Sequence, residues 1–153
     1  MADKLPDELH QGERLPDPIF LPEEELFIRF NQIDGSGNVA ISEIRYVDQS
    51  GNRSKYCSRP SYILLPNYDN WGYGSISIKD ILDIPGIITT KPGVNNSCEV
   101  AHMPLADNYS HSEIWTYRNG VRVTNNNKKR KIGLLFRLEI CQKINVLKNP
   151  EIE

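Results

Sequence analysis

Residues 98–113 read Cys98-Glu-Val-Ala-His102-Met-Pro104-Leu-Ala-Asp107-Asn108-Tyr109-Ser-His111-Ser-Glu113. Side chains alternate through the first six positions. Cys98, Val100 and His102 fall on one face, and Glu99, Ala101 and Met103 on the other, the period of a β-strand. Pro104 removes a backbone donor and argues against a helix here. Pro104 to Ser110 therefore reads as a loop, and Glu113 to Tyr117 as a returning strand. A strand, a loop and a strand make an antiparallel unit, and this predicts a β-rich chain.

Towards the C-terminus, Arg118-Asn-Gly120 is a turn, and Val121 and Val123 begin another strand. Asn125 to Lys131 makes a polar tip. Leu134, Phe136, Leu138 and Ile140 then alternate with Leu135, Arg137, Glu139 and Cys141, which predicts a last strand reaching Leu147. Towards the N-terminus, Leu26, Ile28 and Phe30 alternate as a first full strand. Asp34 to Asn38 is a turn, Val39 to Val47 a second strand, and Asp48 to Asn52 a second turn. Tyr62 to Leu65 reads as a buried strand, and Asn67 to Gly74 as a loop carrying three aromatics. Ile76 and Ile78 mark another strand. Asp80 to Ile84 continues it or makes one helical turn, and Ile87 to Thr90 pairs as an edge strand.

No window of about twelve residues repeats apolar positions at helical spacing. The fold class is mainly β, a β-sandwich or partly open barrel with one or two short helices; the alternative is α+β. Residues 1–18 are acidic and broken by Pro6, Pro16 and Pro18, a flexible arm. Residues 19–148 form one globular domain, and 149–153 a tail.

The 153 residues carry a net charge of −2, placed unevenly. Residues 1–50 hold 11 acids and 4 bases, and residues 51–153 hold 9 acids and 14 bases. The basic C-terminal part suits an anionic partner, unless the acidic half packs against it. No signal-peptide pattern or membrane-length apolar run is present. Cys57, Cys98 and Cys141 are three, widely spaced, which fits neither a disulfide framework nor a zinc knuckle. Reduced thiols in a cytoplasmic protein are the simplest reading.

Two motifs fail on their own chemistry. Asp34-Gly-Ser-Gly-Asn38 begins like a calcium loop, but Val39 stands at the glycine position and Arg45 at the bidentate carboxylate position. His111-Ser-Glu113 shares a His-x-Glu with nucleobase deaminases, yet the chain has no Pro-Cys-x-x-Cys.

The candidate site centres on His102, His111 and Glu113. A loop of eight residues lets two imidazoles meet, with Glu113 orienting one or accepting a proton. Asn108 and Tyr109 are candidate ligand contacts. Arg53, Lys55 and Arg59 are a candidate anion clamp, beside which Cys57 could act as a thiolate. Arg118, Arg122, Lys128, Lys129, Arg130 and Lys131 could follow a phosphate backbone, with Tyr68, Trp71, Tyr73, Trp115 and Tyr117 to stack bases. No cofactor is expected; a divalent metal held by His102 and His111 is the alternative. Against these stands the plain reading of His102 as a satisfied core histidine.

The expected function is a β-rich binding or accessory module for a protein or anionic partner, nucleic acid included. The alternative is a small hydrolase or transferase on a phosphate-containing substrate, using His102, His111 and Glu113. No membrane partner is expected, and oligomeric state is open.

Overall fold

The computed structural model describes residues 5–65, 67–88, 92–124 and 131–151. The strands are β1 (Glu25–Phe30), β2 (Asp48–Arg53), β3 (Gly72–Ser77), β4 (Asn96–His102), β5 (His111–Arg118), β6 (Val121–Arg122) and β7 (Asn145–Lys148). The helices are α1 (Ile78–Ile87) and α2 (Lys131–Lys143). The strands form one antiparallel sheet in the order β4-β5-β2-β1-β3-β7, with β6 paired to β5. The β-rich class with few helices therefore holds. The sheet is single and does not close into a barrel.

One face of the sheet carries the main core. Leu26, Ile28 and Phe30 of β1, Ile76 of β3 and Ile114 of β5 meet Ile81 and Ile84 of α1 and Ile132, Phe136 and Ile140 of α2. The opposite face carries a smaller cluster. There Phe27 meets Leu9, Cys57, Ile63 and Leu64, with Tyr68, Trp71 and Tyr73 at its margin. Short 3₁₀ turns at Ser54–Tyr56 and Pro60–Leu64 supply this second layer.

Several elements differ from the sequence expectation. Leu134 to Cys141 lies in α2, not in a strand. Ile132, Phe136 and Ile140 recur every fourth residue, a spacing that satisfies both a period of two and one of about 3.6. Gly133 brings this helix close to the Tyr46 ring: a Cβ there would sit 3.3 Å from Tyr46 Cδ2. Asp48 to Asn52, turn-like in composition, belongs to β2 because β1 and β5 hydrogen-bond it from both sides. Val39 to Val47 holds a 3₁₀ turn at Ile41–Glu43 instead of a strand. Tyr62 to Leu65 falls in the Pro60–Leu64 turn and its cap. Ile87 ends α1, and Thr89 to Lys91 lie outside the described residues.

The segment expected as a flexible arm has defined partners from Leu5 onward. Leu9 is fully buried. Its carbonyl accepts from the Tyr109 N–H, and Gln11 N–H donates to Ala106 O at 3.0 Å. At the other end, Glu151 N–H donates to Asn70 O at 2.8 Å.

Candidate functional site

The strand register decides what the two histidines can share. His102 lies opposite Ser112, and Ala101 opposite Glu113. Directly opposed residues point to the same face. His102 thus shares the helix-side face with Ser112 and Ile114. His111 and Glu113 project from the other face, where His111 opposes Asn52. The expected pairing of His102 with His111 is not assembled, for catalysis or for a shared metal. Among the described residues no group of three or more His, Cys, Asp or Glu is placed to hold an ion.

His102 is buried and fully engaged. The Asp17 N–H donates to its Nδ1 at 2.8 Å, so Nδ1 carries no proton. Nε2 faces the Tyr109 carbonyl and donates to it. The ring stacks on Tyr56, with centroids 5.6 Å apart and planes 7° apart. Burial lowers its pKa, and the Arg53 charge adds to this; the Tyr109 bond opposes it.

Arg53 is equally committed and is not a clamp for an outside anion. Its Nε donates to Glu24 Oε1 at 2.7 Å and Nη2 to Glu24 Oε2 at 3.0 Å. Nη1 donates to Asp17 O at 2.6 Å and Nη2 to Ile19 O at 2.7 Å. Lys55 donates to Asp17 at 3.0 Å, while Arg59 is exposed. Tyr109 is buried, and its hydroxyl donates to Leu15 O. Cys57 donates its Sγ–H to Arg59 O at 3.3 Å, and burial pushes its thiol up to about 12. The Glu8 carboxylate pushes the same way, the bond to Arg59 O only partly opposes both, and no thiolate is left at neutral pH.

His111 and Asn108 instead line a hollow of about 630 Å³ on the face away from the helices. Arg29 of β1, Arg45, Gln49, Ser50 and Asn52 of β2, and Tyr68 and Trp71 complete most of its wall. The Arg29 guanidinium lies 3.7 Å over the Tyr68 ring and donates to Ile63 O at 3.1 Å. Asn52 Oδ1 accepts from Asn108 Nδ2 at 2.7 Å and from Ser110 Oγ at 3.0 Å. Among the described residues no acceptor is recorded for its amide nitrogen. His111 Nδ1 donates to Met103 O at 2.8 Å, so a neutral ring keeps Nε2 as an acceptor. Glu113, beside it on the same face, accepts from Trp115 Nε1 at 3.0 Å. Arg29, Arg45 and Asn52 escaped the sequence reading. Arg29 was legible as the polar alternate of β1, whereas Asn52 was concealed in an apparent turn.

Arg118 and Arg122 lie close together on the β5–β6 hairpin but on opposite faces, since Arg122 opposes Tyr117 and Arg118 opposes Val121. Arg122 stacks on Trp115 at 3.8 Å, and Lys131 opens α2 on the surface. Arg118 pairs with Asn96 at the far end of β5. Lys128, Lys129 and Arg130 lie outside the described residues. No helix among the described residues is long and apolar enough to cross a membrane. No protein-family model, curated protein or solved structure matches this chain.

Proposed function

We propose that this chain is a binding module that seats an anionic ligand bearing a planar group, such as a nucleotide or the end of a single strand, in the hollow beside His111. One observation carries the reading. The Asn52 amide, the His111 ring, two arginines and the Tyr68–Trp71 aromatics line a single hollow. Its volume falls within the range of ligand pockets, roughly 300–1,000 Å³. Arg29 and Arg45 offer positive charge against a single carboxylate among the described residues of the wall, Asp107, though Arg45 also holds Asp48 at 2.7 Å. The aromatic walls offer faces on which a base can stack. Three free thiols suit a reducing compartment, and we assign the module to the cytoplasm on that ground.

Titration with adenosine monophosphate and with a short single-stranded oligonucleotide, at low and moderate salt, tests the reading through Trp71 fluorescence. Trp115→Phe isolates that signal. Saturable quenching that weakens with salt and falls at least about tenfold in affinity in Arg29→Ala and His111→Ala is expected, the loss of roughly one hydrogen bond to the ligand in each. No response to either ligand at low salt removes it.

A further inference from the structure

Residues 5–17 are held at several points, Glu8 by Ser58 and Gln11 by Ala106 among them, and the attachments of their C-terminal part converge on His102. The Asp17 N–H donates to Nδ1. The Asp17 carbonyl accepts from Arg53, and its carboxylate accepts from Tyr56 at 2.6 Å and from Lys55 at 3.0 Å. Tyr109, whose carbonyl receives the His102 Nε2 proton, gives its own hydroxyl to Leu15 O and its N–H to Leu9 O. The Arg14 guanidinium lies 3.7 Å over the Tyr109 ring.

This wiring works only with a neutral imidazole. A protonated ring carries a hydrogen on Nδ1, which would point at the Asp17 N–H, donor against donor. We propose that residues 5–17 form a proton-released strap: protonation of His102 breaks its bond to the Asp17 backbone and frees the segment from the sheet.

The charged and titratable groups around the ring set the direction. Arg53 from β2 opposes a second positive charge, as do Arg14 and Lys55 further out. Asp17 and Glu24 favour one, and Tyr56 and Tyr109 pack on the ring. Burial outweighs the favourable groups, so the docked ring binds its proton less readily than a free one. His102 therefore takes up a proton more readily once the strap has left it. Docking is at full strength above the ordinary imidazole value, about 6.5, and weakens as pH falls below it. Above that value the strap stays closed.

Released, the strap would uncover Leu9 and its partners Phe27, Cys57, Ile63 and Leu64. It would also loosen the loop from Met103 to Ser110, which carries Asn108. The device stands whether or not the hollow binds a nucleotide.

Hydrogen exchange followed by NMR on the intact protein, between pH 7.5 and 5.0, provides the test. Protection factors corrected for intrinsic exchange should fall at the Asp17 and Tyr109 amides by up to about tenfold per pH unit, the limit for one proton. Sheet amides such as Ile114 should hold. The fall should begin near the ordinary imidazole value, about 6.5, and precede the titration of the docked His102 ring. His102→Gln, which presents a side-chain acceptor but cannot titrate, should keep the strap closed to pH 5.0. If that variant does not fold, the wild-type comparison decides alone. Strap amides that stay protected while the ring titrates, or that are unprotected at pH 7.5, would overturn the proposal.

Discussion

Cys98 shows how a single side chain repairs a backbone defect. Pro85 sits inside α1 and has no N–H, so the carbonyl four residues earlier, on Ile81, loses its helical partner. The Cys98 thiol donates to that carbonyl at 3.3 Å from the neighbouring strand. Removing the donor leaves a carbonyl short of a partner, whereas serine can still supply one. Cys98→Ala should therefore lose about 1–2 kcal/mol in urea denaturation and Cys98→Ser less, a ranking that a reversed order would refute. Burial also pushes the thiols of Cys98 and Cys141 up to about 12 and about 11. With Cys57, all three should resist an aromatic disulfide reagent at pH 8 in the folded protein and react once it is unfolded. Rapid labelling of any one in the native state would contradict the assignment. Arg53 is the most costly residue to disturb. Arg53→Met strands the Glu24 carboxylate, and a broken buried pair costs about 3–5 kcal/mol, measurable as a lowered urea midpoint.

At the scale of the element, β2 depends on a missing side chain. A Cβ at Gly51 would fall 2.4 Å from Leu26 Cγ, on the central strand. Gly51→Ala should destabilise by about 1–3 kcal/mol through overpacking. Leu26→Ala should cost about 2–5 kcal/mol alone. Together the two should cost clearly less than their sum, because each relieves the fault of the other; additive losses in the double-mutant cycle would count against this packing. The same strand marks the limit of what the sequence discloses. Leu26, Ile28 and Phe30 announce β1 by alternation, and the Asn119-Gly120 turn announces itself by composition, with φ of 50° and 79°. In contrast, Asp48-Gln-Ser-Gly-Asn52 contains no strand-forming side chain, and only its two neighbours make it a strand. Helix α2 was hidden for the opposite reason: Leu134, Leu135 and Leu138 add apolar positions off the buried stripe and blur its period.

For the whole molecule, acid stability follows from two groups with different thresholds. The Tyr56 hydroxyl, the Ile19 N–H and Lys55 hold the Asp17 carboxyl well below the usual carboxylate range. A depressed carboxylate stabilises above its unfolded value, near 3.9, and that contribution is lost as pH falls below it. His102 weakens the fold in a separate window that starts near 6.5. Urea midpoints measured from pH 8 to pH 3 should therefore decline in two steps. Asp17→Asn should flatten the lower step and leave the upper; a single transition unaffected by that substitution would show that Asp17 carries no such role. The site was half legible in the chain. His111 and Glu113 share a face of β5, as their spacing of two implies, whereas Asn108 comes from the loop before it. The separation of His102 from His111 follows from the register, His102 opposite Ser112, which the loop between the strands concealed.

The bonds that hold the strap also impose an order of assembly. Asp17 waits for His102, 85 positions later, and Leu15 waits for Tyr109, 94 positions later. On a ribosome, Leu9 would emerge before Tyr109 and find its final seat only after the 100 positions up to Tyr109 had followed. Until then its apolar surface is open to chaperones, and a polypeptide halted before Tyr109 would present it permanently, a mark by which quality control could tell an unfinished chain from a finished one.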